Sequence, residues 1–154
     1  VMDLEDECPY VKGNRFGNGC PEENLSSQKL ENYVEEYSNY LMETVEFDFD
    51  KAEIRVIDYP KLNEVIAIMK RNKSLKFVIE GHTDAVGTEL YNLDLSQRRA
   101  KAVLDYFAEK GLNKDRFVIE GKGFYNLKHK ECNPATNCIA WKNFENRRVR
   151  FKIK

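Results

Sequence analysis

Val45, Phe47 and Phe49 alternate with Glu46, Asp48 and Asp50, a period of two that predicts a half-buried strand over 45–49. Upstream, Leu30, Tyr33, Val34, Tyr37 and Leu41 recur at helical intervals and predict a connecting helix over 26–43. Asp58 and Pro60 then open a helix whose Leu62, Val65, Ile66 and Met69 share one face. Leu75–Glu80 reads as a second strand that runs into the polar turn Gly81-His82-Thr83-Asp84. A second long helix, with Ser96 as its expected N-cap, carries Ala100, Val103, Leu104 and Phe107 inward and stops at Gly111. Arg116–Glu120 is a third strand, Trp141–Glu145 a short helix, and Arg148–Ile153 a fourth strand with Val149, Phe151 and Ile153 inward. The order βαβαβ(α)β predicts an α+β two-layer sandwich, a four-stranded mixed sheet with its helices on one face. Residues 1–24 form no periodic element, so the chain divides into a loop segment (1–24), a connecting helix (25–44) and a folded domain (45–154).

At 154 residues and 42% apolar types the chain suffices for one core and some extra. The longest aliphatic run, Val65–Met69, falls far short of the roughly 20 residues of a membrane helix. A formal charge of −1 hides an asymmetry: residues 1–48 sum to −9 and residues 49–154 to +8. The sign change marks a module boundary. The basic residues beyond it are scattered over several elements and not gathered into an aromatic-interleaved stripe, so nucleic acid is not an expected partner.

Four cysteines fall as two local pairs, Cys8 with Cys20 and Cys132 with Cys138. Four cysteines permit three connectivities, and these spacings favour the two local ones. Neither pair has zinc or redox spacing, so the expectation is disulfides in an extracytoplasmic compartment. The chain starts at Val1-Met2-Asp3 with no signal peptide, and is expected to be a mature or excised piece whose export signal lies elsewhere. Asp3-x-x-Asp6-x-Cys8-Pro9 followed by Gly19-Cys20-Pro21 resembles the end of a thrombospondin type-3-like calcium repeat. That resemblance implies Asp3 and Asp6 as calcium ligands, against the plainer reading of a solvated acidic linker; no other cofactor is expected.

Where the second strand meets the second long helix, polar residues gather: Thr83, Asp84, Asn92, Ser96, Arg98 and Arg99. With Ser96 as N-cap, Arg99 would stand in the first turn, its charge added to the free N–H groups of the helix end. Asp84 would face it. Spacing alone allows either an Asp84–Arg99 salt bridge tying loop to helix or a pocket with one charge of each sign.

The runs Gly81-His82-Thr83-Asp84-Ala85-Val86-Gly87, Tyr91-Asn92 and Leu95-Ser96-Gln97-Arg98-Arg99-Ala100 resemble the signature of the OmpA-like C-terminal domain, which binds peptidoglycan. Phe47-Asp48-Phe49-Asp50 on the first strand, Gly121-Lys122-Gly123, and Asn146-Arg147-Arg148-Val149 extend the likeness over about residues 45–153. The resemblance implies that Asp84 and Arg99 grip meso-diaminopimelate of the stem peptide, Asp84 taking its ammonium and Arg99, with the helix N-terminus, its carboxylate. It further implies that Thr83, Asn92 and Leu95 line the pocket, that Asp50 stands at the rim, and that Arg147 or Arg148 reaches in from the last strand. His82 reads as a hydrogen-bonded turn residue and not a catalyst, and Trp141 as packed beneath the Cys132–Cys138 loop.

The resemblance therefore implies a non-enzymatic periplasmic anchor that holds an outer-membrane protein or envelope complex to the wall. Any membrane link would run through a part of the parent protein outside this chain. The rival expectation is a protein-interaction module of a secretion or motility complex without wall affinity.

Overall fold

The computed structural model describes residues 40–154. The expected pairing Cys8–Cys20, the calcium ligands Asp3 and Asp6, and the connecting helix up to residue 39 lie outside these residues.

Strand β1 (Tyr40–Glu46) is followed by α1 (Tyr59–Arg71), β2 (Phe77–Gly81), α2 (Glu89–Glu109), β3 (Phe117–Gly121), α3 (Ala140–Asn146) and β4 (Arg148–Ile153). The sheet order is β1-β4-β2-β3. β4 runs antiparallel to both β1 and β2, and β2 pairs parallel with β3, so α2 is the crossover of a βαβ unit. The mixed sheet with helices on one face is the architecture expected from the order of elements.

Alternation along β4 and β2 sorts the sheet into two faces. Val149 and Phe151 point to the helices, as do Phe77 and Ile79, and all four are fully buried. Leu62, Val65 and Met69 of α1 and Ala100, Val103 and Phe107 of α2 are buried with them. The Phe107 ring lies 5.2 Å from Phe117 and 5.8 Å from Phe151, centroid to centroid. Helix α2 stops where expected, before Gly111, whose φ of +99° an L side chain rarely adopts. Helix α1 ends on Asn72, whose side-chain amide donates to the Ile68 carbonyl at 2.9 Å.

Three expectations need correction. β1 occupies residues 40–46 and not 45–49, so Tyr40 to Glu43 are strand and no helix extends into them. The chain leaves the sheet at Phe47, whose N–H donates to the Arg147 carbonyl, and turns through Asp50 at φ +56°. Phe47 is buried by that turn while Phe49 stays 55% exposed, so the apparent alternation outlasts the strand. Secondly, α2 begins seven residues before Ser96: Thr88 is the N-cap, its hydroxyl accepting the Tyr91 N–H. Ser96 sits inside the helix, donating to the Leu93 carbonyl and accepting the Gly123 N–H at 2.9 Å. Thirdly, Trp141 is half exposed, with its ring edge-on to His129 at 5.4 Å, while the disulfide Cys132–Cys138 forms as expected.

Candidate functional site

The turn after β2, the turn after β1 and the first half of α2 enclose a cavity of about 170 Å³. Asp84, Asn92 and Leu95 line it, and Asp50 stands at its edge. Phe49, Val86 and Tyr91 complete the wall, all three well exposed. The Tyr91 hydroxyl donates to the Asp50 carboxylate across the mouth. Tyr91 stands one residue before Asn92 in the signature, and the helix start at Glu89 is what turns it toward the mouth.

Asp84 is 4% exposed and held from two sides. Its Oδ1 accepts the Val86 N–H at 3.2 Å, and its Oδ2 lies 3.1 Å from Nη1 of Arg147. Nε of Arg147 donates to the Phe47 carbonyl, so one arginine ties the β1 exit to the Asp84 carboxylate. Of the two arrangements spacing allowed, a direct Asp84–Arg99 salt bridge is not formed; Asp84 pairs with Arg147 instead.

Arg99 is fully buried and lies in the third turn of α2, not at a helix N-terminus. Its guanidinium donates to three backbone carbonyls, those of Lys51 at 2.7 Å, His82 at 3.0 Å and Asp48 at 3.2 Å. It thereby fixes the turn over the cavity and the end of β2 at once. Burial pushes its pKa down to about 10, against the pull of Asp84, so it stays charged at neutral pH.

Thr83 does not line the cavity; its hydroxyl donates to the Asp84 carbonyl and its N–H to the Gly123 carbonyl, which shapes the turn. Asn92 donates from its side-chain amide to the Val86 carbonyl at 2.8 Å and closes the loop from below. Of Arg147 and Arg148, either of which was expected to reach the ligand, Arg148 is directed elsewhere: its guanidinium is bonded to the Asn146 and Asn126 carbonyls.

On the face of the sheet away from the helices, Glu80 accepts a 2.6 Å hydrogen bond from Tyr40 and faces Nε2 of His82 at 3.2 Å. Burial, only partly offset by Glu80, lowers the His82 pKa to about 4, and its Nδ1 has no partner. Folding therefore excludes a proton that the unfolded chain binds below about pH 6.5, and stability falls as pH drops from 6.5 towards 4. The expected loss across that window is up to about 3 kcal/mol, and His82→Gln should flatten it. Urea denaturation at pH 7, 5.5 and 4.5 measures both.

Residues 46–137, which hold the cavity and both flanking turns, match the OmpA family. The chain belongs to that family. It is 32% identical over 157 residues to outer membrane porin F of Pseudomonas aeruginosa, the match covering 100% of this chain and 40% of that protein. It is 39% identical over 109 residues to outer membrane protein A of Bordetella avium, covering 70% of this chain and 52% of the relative. The chain thus spans about half or less of the length of these two outer-membrane relatives. The crystal structure of the peptidoglycan-associated lipoprotein from Burkholderia pseudomallei shares the fold, with a TM-score of 0.65 at 24% identity over 72% of this chain and 89% of that one. Of the candidate residues, Asp50, Asp84, Asn92 and Leu95 line the cavity of this OmpA-family chain, Thr83, Arg99 and Arg147 hold the turns around it without lining it, and Arg148 is directed elsewhere.

Proposed function

We propose that this domain binds peptidoglycan, without catalysis, by holding the zwitterionic end of meso-diaminopimelate in the stem peptide. The supporting observation is a buried carboxylate and a buried guanidinium at one small cavity, Asp84 lining it and Arg99 under it. Asp84 takes the ligand ammonium in exchange for part of its pairing with Arg147. The three carbonyl bonds of Arg99 leave one N–H on each Nη, enough for a two-pronged grip on a carboxylate once the Asp48–Lys51 turn above it yields. Phe49 and Tyr91 cover the aliphatic stem of the ligand. A lysine-type stem lacks the second carboxylate and would leave that grip empty.

Such a domain anchors an envelope protein to the wall from the periplasm. The names of relatives support this, being outer-membrane proteins and a peptidoglycan-associated lipoprotein, and so does the disulfide. Calorimetric titration with a meso-diaminopimelate stem peptide, beside the lysine peptide, tests the reading: the first should bind and the second should not. Asp84→Asn should weaken binding by at least about tenfold, the worth of a charge-assisted hydrogen bond, and should also lower the melting temperature, because the part-buried Arg147 loses its counter-charge. Equal affinity for both peptides, or full affinity in the Asp84 variant, would overturn the assignment.

A further inference from the structure

A second, larger cavity of about 410 Å³ opens on the face of the sheet away from the helices. β1 contributes Thr44, the loop after β3 contributes Asn126, Lys128 and Lys130, and β4 contributes Arg148 and Arg150. Among the described residues no carboxylate lines it. Arg148 is 4% exposed and has no carboxylate within 4.0 Å, its guanidinium being aimed by the carbonyls of Asn126 and Asn146. Burial and the neighbouring Arg150 lower its pKa to about 10, so it is charged at neutral pH. Glu80 bonds Tyr40 and His82, and Glu46 pairs with Lys61; of the lining cations, Lys128 pairs with Glu145 and Arg150 lies over the Tyr40 ring at 3.7 Å, which leaves Arg148 and Lys130 as the cations that no carboxylate of the described residues contacts. Glu80 and Glu46 act on Arg148 from a distance, but neither touches it, and a buried cation that no carboxylate contacts gains by taking an anion directly.

We propose that this cavity is an oxyanion site that takes a phosphoryl group. Its cations approach from the strand and from the loop, which suits the tetrahedral spread of phosphoryl oxygens better than the single edge of a carboxylate. The group comes either from a soluble phosphate ester or from a phosphorylated headgroup. No residue lines both cavities, so the site is separate from the Asp84 cavity and stands or falls without it.

The test uses the 154-residue chain. Inorganic phosphate is titrated while backbone amide resonances are followed, and saturable shifts at residues 126–130 and 148–150 are expected. Lys130→Glu, an exposed change away from the core, should weaken phosphate at least about tenfold and leave stem-peptide affinity as it was. Co-sedimentation with vesicles containing phosphatidic acid, competed by phosphate, assigns the headgroup source; phosphate binding without co-sedimentation assigns the soluble one. No saturable shift at those residues, shifts unaffected by Lys130→Glu, or co-sedimentation that phosphate does not compete would overturn the proposal.

Discussion

Arg99→Ala is expected to cost about 4 kcal/mol of stability, enough to leave the domain partly unfolded at 37 °C. Three carbonyls lose their donor, those of Lys51, His82 and Asp48, and a fully buried volume empties beneath the cavity. The turn that carries Phe49 and Asp50 loses its link to α2 at the same moment. Loss of stem-peptide binding by this variant would therefore say little about ligand contact. Arg99→Lys separates the two roles. It keeps the charge but replaces a planar fork by one ammonium, which cannot reach carbonyls on two segments together. The expected outcome is a folded protein, less stable by about half as much, with stem-peptide affinity reduced more than tenfold. Urea denaturation beside calorimetry reads both; a fully stable Arg99→Ala variant would mean that the guanidinium is not structural.

What the sequence disclosed of this site depended on how local each cause is. Val65, Ile66 and Met69, like Val149 and Phe151, declare their elements by periodicity, because burial there repeats with the backbone. The start of α2 escaped that logic: Leu90 and Tyr91, the apolar residues of its first turn, face outward and Asn92 faces inward. A helix whose first turn presents its polar side to a cavity has no amphipathic signature. The family signature named Asp84, Asn92, Leu95 and Arg99 together, and the fold brings them to one region. It could not tell that Arg99 donates to carbonyls 48 and 51 residues upstream, nor that Asp84 takes Arg147 as its partner, since neither distance is written in spacing. Arg147 and Arg148 are alike as letters and differ in place, because Arg147 caps the helix before β4 while Arg148 is the first residue of that strand.

Gly81→Ala should be as damaging as any substitution in the domain, at about 4 kcal/mol or more. A Cβ there would lie 1.8 Å from the Ser96 carbonyl oxygen and 2.7 Å from its carbon, both backbone atoms of α2 that cannot swing aside. A Cβ on the paired Gly121 of β3 would meet the same helix turn, 2.7 Å from the Ser96 hydroxyl, so α2 rests directly on two strands where neither has a side chain. That contact sets the depth of α2, and with it the positions of Asn92, Leu95 and Arg99 relative to Asp84 at the end of β2. The expected result is loss of cooperative unfolding at ordinary temperature together with loss of stem-peptide binding. Gly111→Ala is the control, because a Cβ there meets nothing within 4 Å and only the φ of +99° opposes it. It should cost about 1 kcal/mol and leave binding intact. Similar losses in the two variants would mean that backbone conformation, and not the close approach of helix to sheet, sets the geometry of the cavity.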